Sequence, residues 1–233
     1  MLIAVISDIH SNLEALTVVI DYIEQAKAEG IWCLGDIVGY GGSPNECVDL
    51  VRERCRPVLK GNHDGGAVGE VEITHFSKQG QTAIKWTQEK LTEKNLSFLR
   101  NLPLSATQQD ATLAHATPAK PESWKYILSW REARESFKGF TTPFCFIGHT
   151  HIPVVIREDG RIGPLKKGTR HLINVGSVGQ PRDGNPKASF GLFDTESYRY
   201  ENVRVAYDVE KAARAIKSAG LPDYLGKRLM LGV

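Results

Sequence analysis

The chain has 233 residues, 41% hydrophobic and 24% charged, with a formal net charge of +2. That length and balance suit one globular domain, expected over residues 1–233. A charge so close to neutral excludes a nucleic-acid-coating or membrane-coating surface on charge alone. No stretch reaches the roughly 18 apolar residues that a membrane helix needs. Met1 leads straight into an apolar strand with no basic leader, and Cys33, Cys47, Cys55 and Cys145 form no C-x-x-C pair. The expectation is reduced thiols and a cytoplasmic location.

Leu2 to Ile6 is a continuous apolar run, the pattern of a strand buried on both faces. Ser11-x-x-Glu14 has capping-box spacing, and Leu13, Leu16, Ile20 and Ile23 recur at helical intervals toward a C-cap at Gly30. Ile31 to Leu34 reads as a second strand, parallel to the first through a right-handed crossover. Ser43-Pro44-Asn45-Glu46 opens a helix to Arg54 with proline at its first position. Pro57 to Leu59 is a short strand, and residues 60–66 form a loop after it. Residues 78–90 and 93–101 read as helices. Leu104 to Gln108 and Ala111 to His115 make a hairpin, and residues 118–128 a proline-interrupted loop. After a helix from Arg131 to Phe137, strands follow at Phe144 to Ile147, Ile152 to Arg157, Thr169 to Asn174, Ala188 to Asp194 and Tyr198 to Val205. Asp208 caps a helix of about ten residues, and Leu221 to Leu231 forms another. The strand–helix alternation of the first half and the strands of the second predict two sheets packed face to face with helices outside.

Loops that follow apolar strands carry Asp, Asn or His: Asp8-Ile9-His10 and, beside glycine, Gly35-Asp36, Gly61-Asn62-His63-Asp64 and Gly148-His149-Thr150-His151. His115-Ala116-Thr117-Pro118 follows the hairpin. Open α/β folds place ligands at the carboxyl ends of their strands. Asp and His one residue apart point the same way on an extended chain, so D-x-H and H-x-H can each grip one ion. Mixed His, Asp and Asn donors suit Mn, Fe, Co, Ni or Zn rather than Ca. His75 and His171 match no motif. The cluster Arg52, Arg54 and Arg56 is interrupted by Glu53 and reads as a solvated helix end.

In this order, D-x-H, G-D, G-N-H-D, H and G-H-T-H resemble the calcineurin-like metallophosphoesterases. The likeness runs from Asp8 to His151 and on through Asn174-Val175-Gly176-Ser177-Val178-Gly179-Gln180-Pro181-Arg182. It implies an α/β fold, a four-layer α/β/β/α sandwich of two mixed sheets. It also implies two divalent metal ions per chain, with Mn or Fe the first expectation and Ni, Co or Zn as alternatives. Asp8, His10 and His151 would hold one ion, Asn62, His115 and His149 the other, and Asp36 would bridge. His63 would face the leaving-group oxygen, oriented and charged by Asp64. Two such ions, about 3.5–4 Å apart, lower the pKa of a bridging water whose hydroxide attacks phosphorus in line.

Protein phosphatases of the superfamily carry G-D-x-V-D-R-G, where this chain has Gly35-Asp36-Ile37-Val38-Gly39-Tyr40-Gly41. The loop arginine is missing, and the chain looks more like the small bacterial and archaeal branch. Ala116 and Val175 stand where many relatives have glycine and proline. The reading is a phosphodiesterase acting on a small phosphoester, with Tyr40 and Arg182 as candidate substrate contacts. A phosphomonoesterase, a diadenosine-polyphosphate hydrolase and a non-catalytic scaffold are the rivals. No membrane partner and no stable nucleic-acid binding are expected, and a homo-oligomer is left open.

Overall fold

The computed structural model describes residues 1–233. Strands β1 (Leu2–Ile6) and β2 (Gly30–Cys33) pair in parallel, β1 pairs antiparallel with β8 (Ala188–Asp194), and β8 antiparallel with β9 (Arg199–Val205). The second sheet orders β3 (Ser105–Gln108), β4 (Ala111–Ala114), β5 (Phe144–Ile147), β7 (His171–Asn174) and β6 (Val154–Arg157). In it β4, β5 and β7 run parallel, with β3 and β6 antiparallel at the edges. Both sheets are therefore mixed.

The two-residue alternation of a strand assigns its side chains to layers. Ile3 and Val5 of β1 face the second sheet, where they meet Leu113, Phe146 and Ile173, with Phe193 of the neighbouring β8 in the same cluster. Ala4 and Ile6 face helices α1 (Leu13–Gln25) and α2 (Pro44–Arg54) on the other side. In β5, Phe144 and Phe146 point between the sheets, while Cys145 and Ile147 point outward to α6 (Trp130–Ser136). The layers are thus helix, sheet, sheet, helix. Leu16, Val19, Ile20 and Ile23 form the buried stripe of α1 at helical spacing. Helices α7 (Val209–Ser218) and α8 (Asp223–Leu231) pack on one another and reach Tyr40 and Ala83, the latter in α4 (Lys78–Lys90). No helix is long and apolar enough to cross a membrane. All four cysteines are buried free thiols.

Several local expectations are corrected. Asn12, not Ser11, caps α1, because its side-chain oxygen accepts the Ala15 N–H at 3.1 Å. Ser43 makes no side-chain cap bond. Gly30 is the first residue of β2 rather than a helix cap. The segment Pro57 to Leu59 contributes a single bridge, Cys33 to Val58. Residues 62–67, read as loop, form the short helix α3 (Asn62–Ala67). Its Gly65 and Gly66 lie under Val71 and Ile73, where a Cβ would collide or crowd. Helix α5 spans Glu93–Arg100 as the periodicity predicts, give or take one residue.

Candidate metal centre

Every loop that carries a candidate residue leaves the carboxyl end of a strand or bridge, and the parallel strands bring those ends to one edge of the sandwich. Backbone hydrogen bonds lace the loops together. Asp8 N–H donates to Gly35 O at 3.0 Å, His10 N–H to Asp36 O at 3.0 Å, and Gly148 N–H to His115 O at 2.9 Å. Asp8, His10, Asp36, His149 and His151 all adopt left-handed backbone, with φ of 54°, 51°, 52°, 67° and 63°. Such strain at non-glycine residues gathers where surrounding structure over-determines a site. It also corrects the expected geometry: D-x-H and H-x-H converge through tight left-handed turns, not through an extended chain. Glycine makes the approach possible at Gly148, where a Cβ would overlap Ser7 Oγ and Asp8 Oδ2.

Six of the seven expected ligands meet in one buried cluster, and Asn62 is buried next to His63 in the chain. Asp8, His10 and His151 form one set of donor atoms within 4.8 Å of one another, and Asp36, His115 and His149 form a second. Asp36 also groups with His10 and His63. The histidine tautomers follow from their outer contacts. Nδ1 of His10 lies 3.1 Å from Val38 O, Nδ1 of His115 3.0 Å from Leu34 O, and Nδ1 of His151 2.6 Å from Gln180 O. A carbonyl only accepts, so each Nδ1 holds the proton and each Nε2 turns a lone pair inward. His149 is reversed, with Nε2 donating to Trp124 O at 2.9 Å, which leaves Nδ1 as its free donor atom.

Those lone pairs face carboxylates rather than protons. Asp8 Oδ2 accepts the His149 N–H at 2.9 Å, while Oδ1 has no hydrogen-bond partner. Oδ1 lies 3.2 Å from His151 Nε2 and 3.8 Å from Nε2 of both His10 and His115. Asp36 Oδ1 accepts the His63 N–H at 2.8 Å, and Oδ2 stands 3.3 Å from His115 Nε2 and 3.7 Å from His10 Nε2. Asn62 Oδ1 and His115 Nε2 are also buried without partners. Buried polar atoms are normally satisfied. A buried knot of acceptors with no donor among them fits a cation, and the His/Asp/Asn chemistry fits a borderline divalent one.

The electrostatics agree. Burial disfavours charge on Asp8 and Asp36, but the neighbouring imidazoles, His151 and His115 foremost, outweigh it and hold both carboxylates below their usual range. Burial, then the neighbouring imidazole charge, drives His10 well below its ordinary value and His149 down to about 3. For His115, burial opposes protonation, yet Asp36 and Asp8 raise it to about 9.

His63 lies at the rim. Its ring centroid is 4.8 Å from that of His10 and 4.5 Å from that of Tyr40, and its Nδ1 has no partner. Burial, opposed by Asp36 and helped by Arg182, lowers it to about 4. Asp64 does not orient it. One Asp64 oxygen accepts the N–H groups of Ile37 at 2.9 Å and Val38 at 3.1 Å, and the other accepts Gly61 N–H at 2.9 Å. Both oxygens are spent on backbone, two N–H groups in the Asp36 loop and one at Gly61, the residue before α3. Asp64 clamps that loop to α3.

Tyr40 is buried against His10 and His63, and Arg182 lies over its ring at 5.9 Å. Sequence reasoning missed the other rim residues. Tyr126 stacks on His149 with centroids 4.0 Å apart, Phe76 lies 4.8 Å from His63, and Trp124 lies 6.1 Å from His115. Arg228 of α8 also sits 5.9 Å from the Tyr40 centroid. The aromatic run Trp124-Lys125-Tyr126 was the one local signal. His171 is buried away from the site, stacked on Phe144.

This fold and this cluster define a metallophosphoesterase. Residues 1–198 match the calcineurin-like phosphoesterase superfamily domain, and the chain belongs to that superfamily. It is 44% identical to an uncharacterized protein of Methanocaldococcus jannaschii, over 99% of this chain and 98% of that one. A crystal structure of a metallophosphoesterase from Sphaerobacter thermophilus is similar at a TM-score of 0.90 and 39% identity, covering 100% of this chain and 99% of that one. A hypothetical protein from Pyrococcus horikoshii OT3 shares the fold at a TM-score of 0.84 and 21% identity, covering 100% of this chain and 98% of that one. Family and cluster together support a phosphoester hydrolase that binds divalent metal.

Proposed function

We propose that the chain is a phosphodiesterase with two divalent ions, acting on a small, nucleotide-sized phosphodiester. The observation that carries this reading is the buried acceptor knot with His63 at its rim. In this reading Asp8, His10 and His151 hold one ion, and Asn62, His115 and His149 hold the other. Asp36, whose Oδ2 faces both His10 and His115, would be shared by the two sets. When bound, the ions supply a water of lowered pKa and neutralise the phosphoryl oxygens.

The chain's own residues do the rest. The Nδ1–H bonds to Val38, Leu34 and Gln180 lock three imidazoles so that no reorganisation is needed when substrate arrives. His63 faces the departing oxygen and offers it an N–H, which matters most for an alkoxide leaving group. Asp64 positions His63 only indirectly, by fixing the loop and helix that carry Asp36 and His63. Tyr40 fills the place where a protein phosphatase would present arginine. That supports a diester over a phosphoprotein.

The test is to strip the protein with chelator and add back Mn, Fe, Co, Ni or Zn singly. Bis-p-nitrophenyl phosphate is then assayed beside p-nitrophenyl phosphate. Metal-dependent turnover that favours the diester supports the reading. Preference for the monoester replaces it with a phosphatase.

A further inference from the structure

One aromatic ring joins the site histidines to two arginines from distant parts of the chain. Tyr40 touches His10 and His63 on one side. Arg182, in the loop after β7, and Arg228, in α8, each place their guanidinium carbon 5.9 Å from the Tyr40 centroid. Both side chains are partly buried. Their hydrogen-bond partners carry no side-chain carboxylate. Arg182 Nε and Nη2 donate to Gln180 Oε1 at 3.3 and 2.9 Å, and Arg228 Nε donates to Val233 O at 2.7 Å. Arg157, Arg170 and Arg204, by contrast, each pair with an acidic side chain.

Two like charges held side by side in a partly buried place repel, and no acidic side chain pairs with either. Burial, and next the Arg182 charge, hold Arg228 below the ordinary arginine range. The phenols of Tyr40, Tyr224 and Tyr126 act on the same guanidinium. The arrangement is also fixed at its inner end. The Gln180 side chain holds Arg182, and the Gln180 carbonyl accepts from His151 Nδ1. A planar guanidinium matches phosphate with paired N–H groups, and two of them suit a dianion.

We propose that Arg182 and Arg228, braced on Tyr40, form a subsite for a second phosphate group of the substrate, beside the phosphoryl group that is cleaved. The proposal rests on the phosphoester-hydrolase reading and deepens its substrate class. A simple diester carries one negative charge, and the proposed metal centre already meets it. Two further guanidiniums next door, neither paired with an acidic side chain, call for further negative charge, as in a nucleotide that carries more than one phosphate.

Calorimetric titration of the metal-loaded protein with methylenediphosphonate, a non-hydrolysable diphosphate, and separately with orthophosphate tests this. Metal content is measured after each titration, so that chelation is not read as binding. The diphosphonate should bind the wild type about tenfold or more tightly than orthophosphate. Arg228→Gln and Arg182→Gln should each remove most of that preference, and Arg228→Lys should restore part of it. Circular dichroism checks that each variant is folded. No preference in the wild type, or equal weakening of both ligands in the glutamine variants, overturns the subsite. The outcome is independent of turnover: an Arg-dependent preference in a protein inactive on bis-p-nitrophenyl phosphate keeps the subsite and removes the phosphodiesterase reading.

Discussion

Asp36 Oδ2 stands 3.3 Å from His115 Nε2, and His115 turns its other nitrogen to Leu34 O at 3.0 Å. The pair sits at the centre of two carboxylates and four imidazoles whose inward atoms are nearly all acceptors. This has an energetic consequence. A cation that binds only the folded chain stabilises it by mass action, about 2.7 kcal/mol at a hundred times its dissociation constant. Asp36→Asn keeps an oxygen for the His63 N–H but removes a central charge. The wild type should therefore melt several degrees higher with Mn than in chelator. Asp36→Asn should lose most of that shift, while melting in chelator no lower than wild type. Calorimetric melting with and without metal checks both parts.

Gly148 lies where the two sheets' loops touch. A methyl group there falls on Ser7 Oγ and Asp8 Oδ2, both on buried, tightly bonded backbone. Gly148→Ala should cost about 1–3 kcal/mol of stability and weaken metal binding as Asp8 is displaced. Urea unfolding and metal titration of the one variant would show both losses together.

Asp64 gives a sharper distinction between support and chemistry. Its carboxylate serves three backbone N–H groups, those of Ile37, Val38 and Gly61. Asp64→Ala leaves them buried and unsatisfied and should cost at least about 2 kcal/mol. His63→Ala should instead leave metal content nearly full and lower turnover by about 100-fold or more. If His63→Ala also strips the metal, His63 is a ligand and its assignment to the leaving group is wrong.

Asn12 ties the site to the helical layer. It caps α1 through Ala15 N–H, and its amide donates to Gly179 O at 2.9 Å and to the Tyr207 hydroxyl at 3.2 Å. Asn12→Ala should cost about 1–2 kcal/mol, more than a cap alone contributes in an exposed helix. A matched Asn12→Ser variant, which restores the cap but not the link to Gly179, should recover only part of the loss in a denaturant titration.

The layers of the fold were legible because buried parallel strands are continuous apolar runs. Leu2–Ile6 and Phe144–Ile147 were bounded in the sequence as the structure bounds them. The candidate site residues were legible because Asp, Asn and His stand just past apolar strands, several of them beside Gly35, Gly61 and Gly148. Helix α3 was not, since Gly65-Gly66 reads as a loop and the packing that demands glycine comes from Val71 and Ile73 in the following turn. The role of Asp64 was hidden for the same reason: its partners Ile37 and Val38 belong to another loop. Arg228 carried no local signal, because its meaning depends on Tyr40, from the other end of the chain.

The central claim is that this cluster holds two ions. The most direct measurement is the metal content of purified protein, stripped, reconstituted with Mn, dialysed and assayed by mass spectrometry of the elements. The account predicts two ions per chain, with His149→Ala and His151→Ala each reducing that number. A wild type that retains one ion or none after reconstitution would contradict it.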